Sequence, residues 1–252
     1  MAQFVSENTE VSGQSIIHVI YDRSGSTESM GSEPLSALKA FLDGQKKLDE
    51  TTPVNLTIFD HEINNVFENI PVKDVILKDD DFSPRGTTAL YKAIFDGISR
   101  NGEKKDVIYV IITDGQDNAS GDITLAIAKS EIDRVTKTLS AKFVFLAANQ
   151  DAFSTGVGFG IQACATFSTA AGGITQVAEA ASQGIADFRR ATSGLARAVS
   201  DSTPIKITPQ RLIDVPTSPP PLRRATPVAQ FSPVTSSNLR GVLARAYASS
   251  LE

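Results

Sequence analysis

The stretch Ser15-Ile-Ile-His-Val-Ile-Tyr21 is a continuous apolar run that stops on an aspartate, Asp22. So short an uninterrupted run suits a strand covered on both faces rather than a half-exposed one. Similar runs return. Val54-Asn-Leu-Thr-Ile-Phe59 ends at Asp60, Asp106-Val-Ile-Tyr-Val-Ile-Ile-Thr113 ends at Asp114, and Lys142-Phe-Val-Phe-Leu-Ala147 follows. Helical spacing fills the intervals. Leu35, Leu38, Phe41, Leu42 and Leu48 recur after a cap at Ser32 with Pro34 in the first turn. A helix from Thr88 to Arg100 sets Leu90, Tyr91, Ile94, Phe95 and Ile98 on one side, and another is predicted over 122–140. Residues 63–70 are polar enough for an edge strand; a short strand near 164–168 and an Ala-rich helix over 173–195 finish the body. Strands alternating with helices predict an α/β fold: a doubly wound, mostly parallel sheet flanked by helices, with Asp106–Thr113 central and one antiparallel edge strand.

The last fifth of the chain is different. Residues 201–252 hold eight of the twelve prolines and carry a net charge of +3, against -8 for residues 1–200. Their prolines forbid long helices and favour extended, polyproline-like chain. Leu239, Val242, Leu243, Ala246 and Tyr247 then spell a short amphipathic helix that needs a surface to dock on. The expected organisation is a domain over 1–200 with its core at 12–195, a Pro-rich linker over 201–236 and a docking helix over 237–249.

One cysteine, Cys164, excludes a disulfide framework and a cysteine-based zinc site. No apolar run approaches the ~18 residues of a membrane span, and the first ten residues lack the parts of a signal peptide. An intracellular setting is expected, with a virion as the alternative. Basic residues in the tail are too sparse for nucleic-acid binding.

Chemistry concentrates where the strands end. Asp22-Arg-Ser24-Gly-Ser26 places three short oxygen-bearing side chains at alternate positions of a tight loop, able to converge on a hard cation. Thr113-Asp114-Gly115 ends the central strand, and Gly86-Thr87-Thr88 precedes a helix. In a doubly wound sheet the loops at the carboxyl ends of adjacent strands meet in one crevice. Asp22 and Asp114 are therefore expected to face one point, with hydroxyls of Ser24, Ser26 and a loop threonine around it. Two carboxylates so close repel unless a cation lies between them. An oxygen set of hydroxyls, carboxylates and water suits Mg²⁺ or Mn²⁺ better than Ca²⁺, and the missing nitrogen and sulfur argue against zinc.

These strings resemble the von Willebrand factor type A domains and their metal-ion-dependent adhesion site. D-x-S-x-S is matched by Asp22, Ser24 and Ser26, the family's threonine best by Thr88, and T-D-G by Thr113, Asp114 and Gly115. The likeness covers about residues 12–195 and is greatest to compact intracellular, phage or viral members. Thr27-Glu-Ser-Met30 departs from the family, which has methionine directly after the second serine. The resemblance implies direct metal ligation by Ser24, Ser26 and Thr88, with Asp22 and Asp114 near the ion directly or through water. It also implies an open position for the Asp or Glu of a partner protein, and binding rather than turnover.

Other readings compete. An assembly component, of a viral or phage particle for instance, would lay residues 201–252 on a neighbouring subunit and could keep or lose its metal. A subunit working with an AAA+ ATPase follows from family analogy alone. A hydrolase is disfavoured: aspartyl phosphatases need a second Asp two residues after the first, where Ser24 stands. Of the remaining polar groups, His18 reads as a satisfied core histidine, Cys164 as core, and His61 beside Asp60 as a solvated turn. Gly156–Gly160 only superficially suggests a nucleotide loop, and Asp79–Asp81 reads as a solvated loop.

Overall fold

The computed structural model describes residues 15–114, 116–147, 150–161, 163–166, 181–185 and 189. Its strands are β1 (Ile17–Asp22), β2 (Pro53–Phe59), β3 (Ile63–Pro71), β4 (Ile108–Thr113), β5 (Lys142–Ala147) and β6 (Ala163–Thr166). The helices are α1 (Glu33–Leu48), α2 (Leu90–Asn101), α3 (Leu125–Leu139) and α4 (Gln150–Gly158). Strand order is β3-β2-β1-β4-β5-β6, every neighbouring pair parallel except β2 with β3. This is the doubly wound sheet the sequence predicts, with the antiparallel strand at its edge.

All six residues of β1 and of β4 are buried, as uninterrupted apolar runs require, while β3 is partly or fully exposed throughout. Successive side chains go to opposite faces. Val19 and Tyr21 join Leu38 and Phe41 of α1, with Ala181 and Ile185, on one side; Ile20 joins Leu90, Ile94 and Ile132 on the other. Residues 181–185 are helical and lie against α1, where Ser182 Oγ donates to the Phe41 carbonyl.

His18 is the satisfied core histidine expected. Its Nδ1 lies 2.7 Å from the Asn101 amide nitrogen, which can only donate, so the proton sits on Nε2, 2.8 Å from Thr57 Oγ1. Cys164 is buried and donates to the Ile161 carbonyl.

Three local expectations need correction. Ser32 occupies the N-cap position of α1, but its backbone is already helical (φ -82°, ψ 0°) and its side chain makes no capping bond. The helix predicted from Thr88 begins at Leu90. No helix was expected over 150–158, where Gly156 belongs to α4; a Cβ there would lie 2.8 Å from the Phe145 ring, so glycine permits the helix to sit on β5. Asp79–Phe82 forms one 3₁₀ turn, and Asp79 pairs with Lys39 at the surface. Gly115, most of the 173–195 helix, the 201–236 linker and the 237–249 helix lie outside the described residues.

Candidate metal centre

Parallel pairing decides where the aspartates go. Tyr21 is in register with Ile112, so Asp22 ends β1 beside Thr113 and Asp114 follows at the same end of the sheet. Asp22 Oδ2 accepts from Thr113 Oγ1 at 2.5 Å, and Oδ1 accepts from the Ser24 amide at 2.7 Å, which turns the loop back on itself. Ser24 Oγ lies 3.0 Å from Ser26 Oγ, and Ser26 Oγ donates to Asp114 Oδ1 at 2.9 Å. Four of the five sequence-predicted residues thus form one hydrogen-bonded chain. The loop continues as a 3₁₀ turn over Gly25–Met30, the local form taken by the segment that departs from the family pattern.

Thr88 is held by other contacts, and none of the hydrogen bonds above includes it. It is buried while Thr87 is exposed. Its amide donates to Asn118 Oδ1 at 2.8 Å, and its carbonyl accepts from the Asn118 and Ala119 amides. The first turn of α2 is capped from this same distant loop. Asp117 Oδ1 accepts from the Tyr91 amide at 3.1 Å, Ser120 Oγ from the Lys92 amide at 2.9 Å, and Ser120 also donates to Asp117. These groups satisfy helix amides that a threonine would otherwise serve. Sequence reading overlooked them, although Asp117-Asn-Ala-Ser120 is rich in the side chains that satisfy backbone groups.

Electrostatics mark the site. Burial pushes the Asp22 carboxyl up to about 6 against the bonds from Thr113 and Ser24, and the Asp114 carboxylate adds to the rise. Burial also raises Asp114, against the bond from Ser26. Two buried acids, joined through the Ser24 amide and the Ser24 and Ser26 hydroxyls with no histidine or cysteine among these residues, fit a small hard dication.

Asp60 corrects the solvated-turn reading. It is fully buried at the end of β2, and its Oδ2 accepts from Arg23 Nε at 2.9 Å and from Arg85 Nε at 2.7 Å. His61 is half-exposed, with Nδ1 3.1 Å from Asp60 Oδ1. Asp60, His61 and Glu62 bring three potential ligand atoms together, but two guanidinium groups already occupy the carboxylate and disfavour a cation there. Gly86 has φ +66°, and a Cβ on it would fall 2.2 Å from His61 Nδ1.

The sheet order, with D-x-S at the end of β1 and T-D at the end of β4, defines a doubly wound α/β domain and agrees with the resemblance to von Willebrand factor type A domains. No family model matches the chain, and no curated protein matches it. Solved structures similar to it include proximal thread matrix protein 1 from the mussel byssus, at 18% identity over 73% of this chain and 46% of that one, TM-score 0.43. A von Willebrand factor type A structure from Catenulispora acidiphila is 12% identical over 72% and 43%, TM-score 0.47. Manganese-loaded Plasmodium vivax TRAP protein is 16% identical over 55% and 58%, TM-score 0.41. The chain spans under half the length of the first two. Among the described residues, no helix is long and apolar enough to cross a membrane.

Proposed function

We propose that this chain is a divalent-cation-dependent protein-interaction module. The hydrogen-bonded chain Asp22–Ser24–Ser26–Asp114 carries the reading, because it gathers neutral hydroxyls and two burial-raised carboxylates at one point. Ser24, Ser26 and Thr88 would hold Mg²⁺ or Mn²⁺ through their hydroxyls, with Asp22 and Asp114 beside it directly or through water. The ion supplies a Lewis-acidic position toward an Asp or Glu of a partner protein. Neutral hydroxyls leave much of its charge uncompensated, Asp22 fixes the loop through the Ser24 amide, and Ser26 takes its orientation from Asp114.

Use of Asp22 as a hydrolytic nucleophile is disfavoured. It is 1% exposed, and each of its oxygens already accepts a hydrogen bond. A second role is compatible with the first. The proline-rich composition of 201–252 favours an arm laid on a neighbouring subunit of an assembly, a virion among them.

The test is calorimetric titration of the full chain with Mg²⁺ and Mn²⁺, followed by partner capture with and without EDTA. Binding in the wild type, its loss in Asp22→Ala and metal-dependent capture are expected. Equal capture with and without metal overturns the interaction reading.

A further inference from the structure

We propose that Asp60 is the positioning residue of this metal centre: one buried carboxylate holds the D-x-S-x-S loop and the Thr88 loop in fixed relation. The inference rests on the metal reading above and adds a residue outside the motifs that suggested it.

Bonds from both loops converge on Asp60. Arg23 stands between Asp22 and Ser24, and its Nε bonds Asp60 Oδ2 at 2.9 Å. Arg85 lies three residues before Thr88, and its Nε bonds the same oxygen at 2.7 Å. The Asp60 carbonyl accepts from the Ala89 amide, directly after Thr88, at 2.8 Å. Asp60 Oδ1 is fixed in turn by the Glu62 amide at 2.7 Å. Backbone bonds run beside these: the Arg85 amide to the Arg23 carbonyl at 2.9 Å, and the Gly25 amide to the Gly86 carbonyl at 3.1 Å. Arg23 also donates to the Asp81 carbonyl at 2.8 Å.

Stability alone gives weak reason for such a cluster, since burying a carboxylate with its partners often gains little over apolar packing. Position is what the ions supply. Two guanidinium groups on one oxygen fix residues 23 and 85 relative to each other, and each belongs to a loop that bears proposed ligands. Burial works against the Asp60 charge, but the Glu62 amide, Arg85 and Arg23 outweigh it and hold the carboxyl below its ordinary range. The node therefore stays charged at neutral pH.

The experiment is Mn²⁺ titration of the full chain, read by the electron paramagnetic resonance of free Mn²⁺, with urea unfolding on the same samples. Asp22→Ala reports the metal reading. Arg85→Ala reports the node through a half-exposed side chain, so the protein stays folded if the buried variant Asp60→Asn does not. Arg85→Ala should weaken Mn²⁺ about 10- to 100-fold, the usual effect of removing a group that orients ligands, with little change in the urea midpoint. Arg85→Lys should recover part of the loss. Wild-type affinity in folded Arg85→Ala, or loss only in proportion to unfolding, overturns the positioning role while Asp22→Ala still upholds the metal centre. A wild type that binds no Mn²⁺ overturns both.

Discussion

Ser26 Oγ donates to Asp114 Oδ1 across 2.9 Å, although 88 positions separate the two residues. Ser26 is exposed while Asp114 is buried, so this bond lies at the mouth of the crevice. With its proton given to Asp114 and one lone pair accepting from Ser24 Oγ, the Ser26 hydroxyl keeps a second lone pair for a cation. Ser26→Ala should weaken Mn²⁺ binding about 10-fold or more, and Ser26→Thr should retain most of it. Calorimetric titration of the two variants checks the pair.

The raised Asp22 carboxyl links metal, pH and stability. Its folded value of about 6 lies above the ordinary carboxylate value near 3.8. In the metal-free protein, the charged form is thus a burden at pH 7, on the order of 1–3 kcal/mol, relieved as pH falls from about 6 toward 4. Asp22→Asn should match or exceed the metal-free wild type in urea at pH 7, and lose that relative advantage by pH 4.5. The wild type's Mg²⁺ affinity should fall as pH drops through 6, where protons compete for the same oxygens.

Helix α2 depends on the loop after β4 for its cap, through Asp117 and Ser120. Ser120→Ala should destabilise the domain by about 1 kcal/mol, the typical cost of a lost cap. Hydrogen exchange at the Tyr91 and Lys92 amides should quicken, while the carboxyl-terminal turn of the helix is unaffected.

His18 sits neutral in the core, its imidazole held down at about 3 chiefly by burial, with smaller pushes from Arg100 and Lys104. The unfolded chain takes up a proton near 6.5 and the folded chain does not, so stability is lost as pH falls from about 6.5 toward 3. The loss totals on the order of a few kcal/mol. His18→Gln should be less stable than the wild type at pH 7.5 but should decline less steeply toward pH 4.5. Urea midpoints in EDTA measure the difference and cancel the opposite trend of Asp22.

The layer fold was legible because β1, β4 and β5 are apolar without interruption, which only two-sided burial explains. Asp22 and Asp114 were legible for a related reason: each is the first charge after such a run, and parallel pairing sends both to the same end. Thr88 was singled out by its place before a helix and its match to the family pattern, yet that helix starts later because its cap comes from Asp117 and Ser120, some 28 positions on. No local pattern announces a partner that distant. Asp60 was seen as a strand end and read as solvated; only the two arginines, each set in another loop, make it a node. The helix at Gln150–Gly158 was missed because its glycines oppose helix formation, and packing on Phe145 overrides that preference.

The placement of β1 between β2 and β4 also bears on how the molecule is made. A chain leaving the ribosome presents Asp22 first, and β2 can pair with β1 well before Thr113, 91 positions later, has been synthesised. Until β4 docks, Asp22 has neither the Thr113 hydroxyl nor a facing carboxylate. Pairings that span so much chain form slowly. The cation would then be captured as a closing event of folding, and a half-made chain would carry the whole D-x-S-x-S loop while remaining unable to grip a partner.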